Sequence, residues 1–127
     1  MEISQRLVAC KHFRWMPGMR TLGDWRVINV DSDGVEVVTD LSEVVLFHSG
    51  DLPHIPSSLP DLNDPATLGC LLALVREICG DSEMHLTLGG AGWVWLSGES
   101  RVANVVLDIP AGKTEAEAIT LALEAAP

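Results

Sequence analysis

The stretch DPATLGCLLALVREICG, residues 64–80, decides the fold. It predicts a helix over 65–79 with Asp64 as N-cap, Pro65 in the first helical position and Gly80 as the C-terminal cap. Leu68, Leu71, Leu72, Leu74, Val75 and Ile78 cover most of the circumference, and only Gly69, Ala73, Arg76 and Glu77 form a narrow remaining strip. A helix this apolar must be covered on more than one side. Gly69 costs about 1 kcal/mol in a helix interior, which predicts close backbone packing at that point.

Outward from this helix the chain reads as short strands. On the N-terminal side, WRVINV (25–30), the tight-turn sequence DSDG (31–34), VEVVTD (35–40) and EVVLFH (43–48) predict an antiparallel meander. The alternation in VEVVTD puts Val35, Val37 and Thr39 on one face and Glu36, Val38 and Asp40 on the other. SGDLPHIPSSLPDLND (49–64), with three prolines, reads as a surface loop. On the C-terminal side, HLTL (85–88), GGAG (89–92), WVWL (93–96) and RVANVVLD (101–108) predict a second meander. Helices are expected at both ends: ISQRLVACKHF (3–13), and a segment opening at Thr114 with Glu117 in capping-box spacing. The expected fold is a single α+β domain over residues 1–127, in the order α, βββ, α, βββ, α. Its antiparallel meanders pack around the central apolar helix 65–79, and neither half repeats the other residue by residue.

Charge is unevenly placed. The net is −10, yet residues 1–26 hold Arg6, Lys11, Arg14, Arg20 and Arg26 against only Glu2 and Asp24. The rest of the chain carries three basic and sixteen acidic residues. Such a protein is not expected to bind nucleic acid nonspecifically, because that requires a positive field. It suits a basic protein partner, although acidity also serves solubility alone. No apolar run approaches the roughly 20 residues of a membrane span. The N-terminus lacks the basic and apolar regions of a secretory signal. Three cysteines without a CxxC pair suit a reducing cytosol better than a disulfide framework.

Five constellations are candidates for chemistry. His48, Asp51 and His54 stand close in sequence but read as surface residues around a loop, and Cys70 and Cys79, on opposite sides of one helix, cannot share an ion; no metal or other cofactor is expected. No nucleophile elbow is present, and Cys70 and Cys79 read as small core residues. GGAG lies between two strands, where glycines serve a hairpin and not a phosphate cradle. Asp31, Asp33, Glu36, Asp40 and Glu43 decorate one hairpin, either as a surface for a basic partner or as charge that blocks strand pairing. Arg14, Trp15, Arg20, Trp93, Trp95 and Arg101 combine the two residue types most enriched in interface hot spots. Core filling is the competing reading for the tryptophans, Trp25 included. The stretch HFRWMPGMR (12–20) poses the same choice, with Phe13 and Met16 expected to plug the core and Arg14, Trp15 and Arg20 left as site candidates.

FRWMPGM (13–19), PDLNDPATLGCLLALVRE (60–77) and TEAEAITLALEAAP (114–127) resemble a group of small uncharacterised bacteriophage and prophage proteins. Together they span 39 residues, about a third of the chain. The resemblance implies a phage or prophage origin and action in the cytoplasm of a bacterial host, and it transfers no functional residue. The expected function is that of a non-enzymatic accessory protein that binds and blocks or modulates a macromolecule, such as a host-defence factor. A small-ligand binder holding an anionic nucleotide between Arg14, Arg20 and the tryptophans is the second expectation, and a metal-dependent enzyme the third. Several short strands leave edges to cover, so a homodimer is also expected.

Overall fold

A computed structural model describes residues 2–39, 41–48, 59–96 and 111–126. Among these the order is α1 (Ile3–Ala9), β1 (Arg26–Val30), β2 (Gly34–Val38), β3 (Val44–His48), α2 (Pro65–Cys79), β4 (His85–Gly89), β5 (Gly92–Leu96) and α3 (Glu115–Ala125). The chain is α+β, with antiparallel sheets β1-β2-β3 and β4-β5. The expected strand over 101–108 lies outside the described residues. Among the described residues, no helix is long and apolar enough to cross a membrane.

The helix α2 has the ends its sequence dictates. The Asp64 carboxylate accepts from the Thr67 N–H at 3.0 Å and the Thr67 hydroxyl at 2.9 Å. At the other end Gly80 adopts a left-handed conformation, φ 67°, and its N–H reaches back to the last turn. Thr67, Leu71, Leu74 and Val75 are buried, and Leu68, Leu72 and Ile78 pack half-buried beside them.

The central position is shared. The helix α3 packs against α1, α2 and β5, presenting Ala118, Ile119, Ala122 and Leu123 to the core. Its N-cap is Thr114, whose hydroxyl accepts from the Glu117 N–H at 3.1 Å. The Glu117 carboxylate reaches the Lys113 N–H. Trp95 is fully buried, and its indole N–H donates to the Ala118 carbonyl at 3.0 Å. Gly92 is required by close approach: with φ 119°, a Cβ there would stand 2.5 Å from the Gly112 carbonyl oxygen. That contact belongs to the bridge in which Trp93 and Gly112 exchange backbone hydrogen bonds.

The helix α1 ends at Ala9, four residues before the expected end at Phe13. The chain turns at Cys10, which places Phe13, Trp15 and Met16 against the core and buries Met19 completely. Phe13 and Trp15 meet edge to face, with ring centroids 5.4 Å apart. HFRWMPGMR is therefore chiefly a plug, and Trp15 belongs to it. Gly18 and Met19 then bond to Val27, covering part of the outer edge of β1.

Gly69 departs from expectation. A Cβ there would meet nothing within 4 Å, so no neighbouring backbone compensates its cost. Gly69→Ala is expected to raise stability by about 0.5–1 kcal/mol, read as a higher urea midpoint at unchanged slope.

Asp64 makes stability depend on pH. Burial alone would raise its pKa, but hydrogen bonds from Arg26 and Thr67 outweigh that and hold the carboxyl below its ordinary value. A depressed carboxyl contributes stability above its unfolded pKa of about 3.9, and that stability is lost as pH falls through the folded value. Asp64→Asn keeps a capping oxygen but does not titrate. Urea unfolding at about pH 7 and about pH 3 should show the wild type ahead at neutrality and its margin over the variant narrowing in acid.

Candidate protein-binding surface

The alternation predicted for β2 holds, and it gives the three-stranded sheet two different faces. Val27, Val35 and Val37 are buried on the inner face, with Val45 and Phe47 half-buried beside them. Trp25 stacks on Phe47, its ring centroid 4.9 Å away. The outer face follows from the register. Glu36 pairs with Asn29 on one side and Leu46 on the other, and Val38 lies between Arg26 and Val44. The register shifts between Val27 and Asn29, a bulge that leaves Ile28 exposed.

The large apolar side chains this outer face exposes stand beside the exposed Asn29 and the half-buried Arg26 and Glu36. Val44 is 62% exposed, Leu46 45% and Ile28 43%. Among the described residues, no backbone group bonds to the edge of β3 away from β2. Carboxylates lie at the strand ends and within the face. Asp31 and Asp33 are exposed at the β1–β2 turn, Glu36 lies in the central strand, and Glu43 is exposed just before β3. Asp31 also shapes the turn by accepting from the Asp33 and Gly34 N–H groups at 2.9 and 3.2 Å. Asp40 lies outside the described residues. The predicted acidic hairpin thus exists, and the apolar side chains among its carboxylates were missed.

The aromatic and basic candidates do not form one site. Trp95 is core, not surface. Trp93 is half-buried and lines a depression with Lys113 and Glu115. Arg14 pairs with Glu77 near the C-terminal end of α2. Arg20 pairs with Asp24, and its backbone N–H donates to Thr67 near the N-terminal end of the same helix. The two arginines therefore sit toward opposite ends of α2, each already facing a carboxylate. Arg101 lies outside the described residues.

The remaining candidates disperse as well. Among the described residues, no three His, Cys, Asp or Glu side chains group to hold a metal ion. His48 ends β3, with its Nδ1 3.2 Å from the Asp33 carbonyl oxygen, while Asp51 and His54 lie outside the described residues. Cys79 is exposed at the end of α2 and not in the core, and Cys70 is half-buried with its thiol 3.6 Å from the Pro17 carbonyl oxygen. Lost solvation raises the pKa of both thiols, helped by Asp64 at Cys70 and by Asp81 at Cys79. This is the opposite of nucleophile activation.

Comparison with family models, curated proteins and solved structures returns no match for this chain.

Proposed function

We propose that this chain is a non-enzymatic binding protein whose outer sheet face engages and blocks or modulates a basic protein partner. The observation that carries this reading is the apolar set Ile28, Val44 and Leu46, with Glu36 among them and Asp31, Asp33 and Glu43 at the strand ends. Apolar side chains flanked by charged ones are the ordinary anatomy of a protein interface. Desolvating the apolar set supplies affinity, and the carboxylates accelerate encounter with a positive surface. The resemblance to phage and prophage proteins supports a partner in a bacterial host. A defence nuclease with a basic groove is the class that would be blocked by this arrangement.

The test separates the two contributions. Asp33→Asn with Glu36→Gln and Glu43→Gln is expected to slow association about tenfold at low salt and to flatten its salt dependence. Val44→Thr with Leu46→Thr is expected to speed dissociation while shifting stability by no more than about 0.5 kcal/mol per site. Wild type and variants would first be used to capture proteins from bacterial lysate, and the captured partner then remeasured in purified form. If the combined variant retains the same partner with the same rates, this surface is not the interface.

A further inference from the structure

Among the described residues, β3 is an edge strand of the three-stranded sheet. The Thr39 N–H donates to the Glu43 carbonyl, and β2 and β3 pair Val37 with Val45 and Val35 with Phe47. Backbone groups alternate in direction along an antiparallel ladder, so Glu43, Val45 and Phe47 turn theirs toward β2. Val44, Leu46 and His48 turn their N–H and C=O groups the other way. Among the described residues, no backbone group bonds to them there. Such a row is a template for one kind of ligand, a further strand. The side chains along this edge are also incompletely covered. Val45 and Phe47 are half-buried on the inner face, where Val27, Val35 and Val37 of the neighbouring strands are buried. On the outer face Val44 and Leu46 are exposed. A strand laid along β3 covers the first pair with one set of alternate side chains and the second pair with the other.

Charge selects the outer set. Glu43 precedes β3, Glu36 lies across from Leu46 on the outer face, and Asp33 adjoins His48 at the far end, in the turn it shares with Asp31. The basic residues of the three strands are Arg26 and His48. Arg26 lies on the far strand and is held by the Asp64 carboxylate at 2.8 Å. A second copy of this chain would bring the same carboxylates and be repelled, whereas a strand bearing lysine or arginine is drawn in. Such a side chain lays its aliphatic stem on Val44 or Leu46 and extends its charge toward Glu36 or Glu43. We propose, on the reading of the outer sheet face as the binding surface, that the partner docks by strand addition. It adds to the β3 edge an extended segment in which apolar residues alternate with lysine or arginine. Backbone bonds to Val44, Leu46 and His48 hold the segment, and its alternate side chains give selectivity.

The probe is a labelled peptide of alternating valine and lysine, compared with its valine and glutamate counterpart by anisotropy on the full chain. The lysine peptide is expected to bind, to shift the amides of Val44 and Leu46, and to slow their exchange; the glutamate peptide should do none of these. Two further lysine peptides carry N-methyl groups, one on every lysine amide and one on every valine amide. Only alternate amides of an added strand face β3. One methylated peptide should therefore lose at least about tenfold in affinity while the other keeps it. The lysine set is the sensitive one in antiparallel addition, the valine set in parallel. Leu46→Pro removes one outward N–H and leaves the bonds to β2 in place, as proline on an edge strand does, whereas Leu46→Thr keeps that N–H. The proline variant should bind at least about tenfold more weakly than the threonine variant. Should it fail to fold, the methylated pair decides. Methylated peptides that behave alike overturn the proposal, as do equal binding by the glutamate peptide and no binding by the lysine peptide. Slow exchange at Val44 and Leu46 in the free monomer shows that the chain covers this edge itself, and slow exchange confined to a dimer shows that a second copy does. Either result overturns it too. If Val44→Thr with Leu46→Thr releases a purified partner while the methylated peptides bind alike, the outer face remains the interface and strand addition alone falls.

Discussion

The structure depends first on one carboxylate. Asp64 caps α2 through the Thr67 N–H and hydroxyl, and it also receives the Arg26 guanidinium at 2.8 Å. Arg26 begins β1 and donates as well to the Gly18 carbonyl. The Thr67 hydroxyl in turn accepts from the Arg20 N–H. A single network therefore joins the N-terminus of α2, the first strand and the C-terminal end of the plug. Asp64 is little exposed, so an unpaired charge there would be costly, and each partner is needed by the others. This ties the apolar helix to the sheet by geometry that burial alone could not specify, because burial has no direction.

A second directional bond does the same for the other sheet. The Trp95 indole fills the core, and its N–H satisfies the Ala118 carbonyl of α3. Arg6 of α1 pairs with Glu124 near the end of α3 at 2.5 Å. These contacts make α3 the element that α1, α2 and β5 share. The inner face of β1-β2-β3 is committed to the core, and the outer face of that sheet is left exposed among the described residues. Its composition then matters, because an exposed strand face is ordinarily polar.

Much of the fold was legible because the relevant signals are local. Asp64, Pro65 and Gly80 mark the ends of α2 by backbone chemistry, and the period-two pattern of VEVVTD assigns Val35 and Val37 to the core. The errors arose where local and tertiary terms compete. Residues 10–13 have helical pattern, yet packing Phe13, Trp15 and Met16 on the core required the chain to leave the helix. Gly69 suggested close packing that does not occur. The aromatic and basic set could not be resolved by composition. Whether a tryptophan is core or surface depends on what pairs across the sheet, and Arg14 found a carboxylate far away in sequence while Arg20 found one in a turn. The outer patch did leave a trace. VVLFH lacks polar alternation, so both faces of β3 are apolar, a pattern that calls for cover on both sides.

Among the described residues nothing pairs with the outer edge of β3, which raises the question of what keeps it from pairing with copies of itself. β3 contains no Asp, Glu, Lys or Arg and no proline, so the protection common on edge strands is absent from the strand itself. The carboxylates around it supply that protection instead. Joining two β3 edges about a two-fold axis would bring two acidic hairpins together within a chain of net charge −10. Repulsion therefore opposes the expected homodimer through this edge, most strongly at low ionic strength. The same field favours a partner of opposite charge. One set of side chains can thus discourage the wrong neighbour and draw the right one, and an apolar patch can stay exposed in an acidic protein without becoming a site of self-association.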